Sequence, residues 1–121
     1  MKPVTCVLHV VSGDSERLFR AGLWAVTAQA SGDEVRVLLT APALRVLAAD
    51  EPAPVEAVQL GFPSPKSLLG EARQLGAKVV TCETELALSG VAHGAIEGLV
   101  DSVEPLASFW RETRSAQRLV L

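Results

Sequence analysis

The stretch PKSLLGEARQLGAKVVTCETELALSG, residues 65–90, decides the fold. Pro65 suits the first turn of a helix, where its missing N–H is no loss and its fixed φ is already helical. The helix runs over residues 66–75 and stops at Gly76, the residue type best able to end a helix in the left-handed conformation. Residues 77–82 follow as a short apolar run of strand length centred on Val79 and Val80. Residues 84–89 read as a second, short helix closed by Gly90. Helix, strand and helix in such close order is the spacing of a wound α/β fold.

The flanks repeat the pattern. Residues 4–11 are nearly all apolar, as in a central strand covered on both faces. Ser12-Gly13-Asp14-Ser15 is a turn and helix start that Asp14 or Ser15 can cap, with Glu16 in the first turn. That helix runs to about Ala30, with Phe19, Leu23, Val26 and Ala30 as its buried stripe. Residues 35–39 read as a second strand and 43–49 as a short helix after Pro42. Residues 50–54 and 61–65 are loops, and 55–60 a weak third strand or extended connector. Downstream, 98–103 reads as a loop or short strand, Pro105 opens a helix through about Arg114, and 118–121 is a final short strand. The expectation is one α/β domain over residues 1–121, a three-layer α/β/α sandwich with a mostly parallel five-stranded sheet. Ligands bind such folds at the carboxyl ends of the strands, which points to residues 11–15, 40–43, 60–66 and 81–84.

Composition narrows the function classes. A chain of 121 residues is one domain, and 17 Leu, 17 Ala and 16 Val supply a core. A net charge of −3 from 11 basic and 14 acidic side chains is the wrong sign for a nucleic-acid footprint. A mean hydropathy of +0.31 fits either an alanine- and valine-rich sheet or apolar surface buried in an oligomer. No apolar run reaches the roughly 20 residues a membrane helix needs, and no cleavage site follows the first strand. Two cysteines 76 residues apart form neither a disulfide framework nor a zinc cluster, so a cytoplasmic protein with free thiols is expected.

Cys82 is the residue most open to a chemical role. It sits where a strand gives way to a helix, facing the unsatisfied N–H groups of residues 83–85. A helix N-terminus favours an anion by roughly 0.3–1 kcal/mol, while Glu83 and Glu85 oppose one. The bland alternative is a small buried apolar residue. Cys6 is mid-strand and reads as core; it shares a face with Leu8 and Val10, whereas His9 points the other way with Val7 and Val11. His9 is either a core histidine with satisfied nitrogens or an accessory base near the strand edge. His93 lies in the 90–94 loop as a solvated residue. The turn Ser12, Gly13 and Ser15, with Glu83 and Thr84, makes a weak anion- or ligand-binding set at the sheet edge. Trp24 and Trp110 read as core or subunit contacts. No dinucleotide or Walker glycine motif is present, no C-x-x-C, no G-x-S-x-G, and no arginine six residues after Cys82.

Residues 68–91, LLGEARQLGAKVVTCETELALSGV, resemble the DsrE/DsrF-like family, which includes TusD-type sulfur-relay subunits. The likeness lies in a helix ending Leu-Gly, a short apolar strand, Cys-Glu-Thr, and Gly-Val eight and nine residues past the cysteine. The order of the remaining elements is similar to the family's along the whole chain. The resemblance implies a cytoplasmic protein without metal or organic cofactor, assembled as a homo-oligomer, a trimer or hexamer. It implies that Cys82 accepts a sulfane sulfur and passes it between donor and acceptor proteins. The reading of the residues alone leaves open a non-catalytic small-ligand or partner-binding module, using the 12–15 turn and the 60–66 loop.

Overall fold

A computed structural model describes residues 4–121. β1 (Thr5–Val10) leads through α1 (Ser15–Ala30) to β2 (Glu34–Leu39), and the two strands pair in parallel from Thr5 against Glu34 to Val10 against Leu39. A connection of this length is what parallel neighbours require. α2 (Ala41–Ala48), α3 (Val55–Gln59) and α4 (Pro65–Gln74) lead to β3 (Lys78–Thr81). α5 (Glu83–Ser89) and α6 (His93–Ile96) lead to the two-residue β4 (Ser102–Val103). α7 (Leu106–Thr113) then leads to β5 (Gln117–Val120). The sheet order is β4-β3-β2-β1-β5, and every pairing is parallel. The chain steps outward from β1 to β4, then β5 returns to β1's other side. β1 is therefore flanked on both edges and covered on both faces, which is why its sequence is nearly all apolar.

Alternation along the strands sorts the core into two unequal layers. On one face Leu8, Val10, Val37, Leu39 and Val79 pack against Leu18, Ala21 and Ala25 of α1, Leu44 and Leu47 of α2, Leu69 and Ala72 of α4, and Leu86 of α5. On the other, Val7, Leu38 and Val80 pack against Phe109 of α7. The three-layer α/β/α architecture holds, with one layer thick and the other built on a single eight-residue helix.

Three local expectations change. Residues 55–60 are not a strand: Pro54 occupies the N-cap of α3, Glu56 lies in its first turn, and Ala53 and Ala57 pack with Phe19 and Leu68. β2 already pairs with β1 and β3, so neither of its edges is open to such a segment. The buried stripe of α1 is Leu18, Phe19, Ala21, Gly22 and Ala25; Leu23 and Val26 are only half-buried and Ala30 is exposed. The reason is close approach to α4: a Cβ on Gly22 would lie 2.7 Å from Leu68 Cβ, so small residues face the contact. His93 opens α6 rather than lying in a loop, and it is exposed as a solvated residue should be.

Candidate functional site

The carboxyl ends of the strands are laced together by hydroxyls. Thr40 Oγ1 donates to Val10 O at 2.9 Å, joining the ends of β1 and β2. Thr81 Oγ1, fully buried, donates to Leu39 O at 2.8 Å, joining β2 and β3. Glu104 N donates to Thr81 O at 2.9 Å, and Leu121 N donates to His9 O at 2.7 Å. Buried hydroxyls that reach a neighbouring strand's carbonyl satisfy both groups and hold the rim in one arrangement.

Below this rim, on the α7 side, lies a cavity of about 490 Å³. That is within the range of small-molecule sites, roughly 300–1,000 Å³. Its floor is sheet: His9 of β1, Leu38 and Leu39 of β2, then Thr40. One end is Cys82 with the start of α5, residues 83–85, and the roof is Pro105 and Leu106 at the start of α7. Register explains why a histidine and a cysteine 73 positions apart share one cavity. His9 lies beside Leu38, and Leu38 beside Val80, all on one face. Cys82, two residues beyond Val80, lies on that face one step nearer the edge. Two strand spacings separate His9 from Cys82, about 10 Å across the sheet, room for a molecule between them rather than a direct hydrogen bond.

Cys82 is the N-cap residue of α5, extended at φ −107° and ψ 162°, and makes no side-chain cap bond. It is 7% exposed. Its thiol sits in the cavity wall, not on the surface. Glu85 does not turn towards it. Its Oε2 accepts Ala41 N at 2.6 Å and so caps α2, whose own N-cap residue Thr40 makes no side-chain cap bond. Glu83 and Thr84 are exposed at the mouth.

His9 is half-buried. Burial first, and the Arg118 guanidinium second, hold its imidazole below the usual 6.5. It is therefore neutral at pH 7, with one ring nitrogen free to accept a proton or a hydrogen bond. A second hollow of about 260 Å³ adjoins the first through His9, Leu38 and Leu106 and continues to Phe109, Trp110 and Arg118. There Arg118 lies 4.8 Å from the Trp110 ring centre, and its Nη2 donates to Thr113 O and Oγ1 at 2.6 and 2.9 Å. Trp110 and Trp24 are both exposed, so neither is a core residue.

Of the expected site residues, the fold brings together Cys82, Glu83, Thr84 and His9. It leaves Ser12, Gly13 and Ser15 out of the cavity wall. Their turn is occupied with itself: Ser12 Oγ accepts Asp14 N at 3.0 Å and Asp14 caps α1 through Glu16 N. Gly13 is there for close packing, since a Cβ would meet Pro42 O at 3.0 Å. The 60–66 loop lies on the α1 side, where the Phe62 ring meets Phe19 edge-on at 5.5 Å, and none of its residues lines this cavity. Pro105 and Leu106 were not among the expected site residues; the signal was Pro105 itself, but residues 98–103 before it read equally as loop or short strand, and β4 is only two residues long. Cys6 packs with the opposite face, where burial first and Asp33 second push its thiol up from the usual range. Among the described residues, no group of His, Cys, Asp or Glu is arranged to hold a metal ion, and no helix is long and apolar enough to cross a membrane.

Compared with protein-family models and with curated proteins, the chain matches none.

Proposed function

We propose that this protein is a sulfur carrier of DsrE/DsrF-like type in which Cys82 accepts a sulfane sulfur as a persulfide. One observation carries the reading: the Cys82 thiol stands in the wall of a cavity at the carboxyl edge of a parallel sheet, where this fold class binds ligands. In the step, the Cys82 thiolate attacks the outer sulfur of a donor R–S–SH. The donor's S–S bond breaks, Cys82–S–SH forms, and R–S⁻ leaves and takes up the proton that Cys82 gave. No outside oxidant or cofactor enters the balance. A carrier needs a protected thiol that one partner at a time can reach, and a nine-tenths-buried cysteine sharing a cavity with a neutral imidazole meets that need.

A cytoplasmic location and delivery of the sulfur to an acceptor belong to the same proposal, as does assembly into a homo-oligomer. Exposed Leu106, Trp110, Leu119 and Val120 on α7 and β5 offer apolar surface for assembly. Light scattering over a dilution series tests that part; a monomer at micromolar concentration counts against it. The cavity alone also favours a second reading, a small-ligand-binding module without sulfur chemistry. The two separate on variants. Cys82→Ser abolishes persulfide loading and Cys6→Ser leaves it intact if Cys82 carries sulfur; equal loading of both variants removes the assignment. A ligand-dependent rise in melting temperature that survives Cys82→Ser is what the binding module predicts.

A further inference from the structure

The charge pattern around the thiol narrows what can donate to it. Among the described residues no Lys or Arg lines the cavity, and its ionisable groups are Glu83, Glu85 and the neutral His9. The positive ends of two helices there are already answered: α2 by the Glu85 carboxylate, and α5 by Glu83 and Glu85 in its first turn. The cation felt at His9, Arg118, lies in the adjoining hollow and not in this wall, with Nη2 on Thr113 and its guanidinium carbon 4.8 Å from the Trp110 ring centre. The rest of the wall is Leu38, Leu39, Pro105 and Leu106 with two hydroxyl residues, Thr84 and Thr40, and the Thr40 hydroxyl already donates to Val10 O. Such a wall desolvates whatever enters, and an anion entering it meets two carboxylates with no counter-charge.

Resting on the sulfur-carrier reading, we infer that the donor class is a low-molecular-weight persulfide with an uncharged, apolar body, and that this site discriminates against anionic persulfides. The depth of the thiol favours a small donor over a persulfide on another protein's surface. Cys82 is 7% exposed under a roof that begins at Pro105 and Leu106, so a donor sulfur must enter the cavity to meet it.

The test is a matched pair, benzyl persulfide and 4-carboxybenzyl persulfide, which present the same reacting sulfur and differ by one charge. Sulfur gained at Cys82 is followed by mass spectrometry in the native full chain and in the urea-unfolded chain, which calibrates intrinsic reactivity. The donor without the carboxylate is expected to load the native protein faster by about tenfold or more, relative to the ratio in the unfolded chain. Leu106→Lys, a change at an exposed roof position, is expected to shrink that preference severalfold. A native ratio equal to the unfolded one, or a preference for the carboxylated donor, overturns the donor class and leaves the carrier reading standing. Loading by persulfidated serum albumin as fast as by benzyl persulfide overturns the small-donor part alone. If no donor loads native Cys82 while all load it unfolded, the carrier reading fails and this inference falls with it.

Discussion

Phe109→Ala is the perturbation that asks most of the fold. Phe109 is 1% exposed and is the one α7 side chain in the core cluster with Val7, Leu38 and Val80. Removing a buried phenyl ring costs about 3–5 kcal/mol. A chain of 121 residues at 0.05–0.15 kcal/mol per residue has a stability of about 6–18 kcal/mol, so the variant stays folded. The loss falls on α7, because the opposite layer holds its own packing between the sheet and the other helices. Opening of α7 then becomes more frequent by a factor of about a hundred to a few thousand, at 1.4 kcal/mol per tenfold. Its first turn roofs the cavity, so native-state alkylation of Cys82 accelerates by that order while Cys6, on the other face, keeps its wild-type rate. Urea denaturation read alongside gives the global loss. Equal acceleration of both cysteines, or a global loss below about 1 kcal/mol with no change at Cys82, would refute the claim that α7 alone covers this face.

Further outcomes follow from single contacts. Gly22→Ala drives a Cβ to 2.7 Å from Leu68 Cβ, and a destabilisation of about 1–3 kcal/mol in urea is expected despite alanine's better helix propensity. Glu85→Ala removes the cap on Ala41 N, costing about 1–2 kcal/mol, and amide exchange at the start of α2 speeds up. His9 is held below its unfolded value, so the unfolded chain binds the extra proton first. Stability is therefore retained above pH 6.5 and lost as pH falls through the unfolded value, and His9→Gln flattens this dependence in thermal melts at pH 5 to 7. A His9 imidazole that titrates at or above 6.5 by NMR contradicts its placement beside Arg118 in a partly desolvated wall.

Much of this was legible because the local signals agreed with the tertiary context. The 65–90 stretch reads correctly since Pro65, Gly76 and Gly90 mark boundaries by backbone constraint, which packing does not override: Gly76 and Gly90 both adopt positive φ, 112° and 68°. The opposite facing of Cys6 and His9 follows from strand alternation alone. Residues 55–60 misled because two valines and a leucine suggest a strand, while the deciding fact, that every central strand edge is taken, is topological. The stripe of α1 misled because apolarity favours Leu23 and Val26, whereas close approach to α4 selects Ala21, Gly22 and Ala25. At the site, Cys82 was legible from the strand-to-helix switch. Glu83 and Thr84 were legible with it; His9 was legible only as one of two readings, because it joins Cys82 through registers spanning three strands, and the 12–15 turn, expected at the site, is spent on its own cap.

The most direct measurement is the intact mass of the native protein after exposure to a persulfide donor, with peptide mapping of any added sulfur. A gain of one sulfur atom, reversed by reductant and confined to the peptide holding Cys82, is the predicted result. No gain, with Cys82 alkylated only once the chain is unfolded, would contradict the carrier account and make that cysteine a packing residue in the wall of a ligand site.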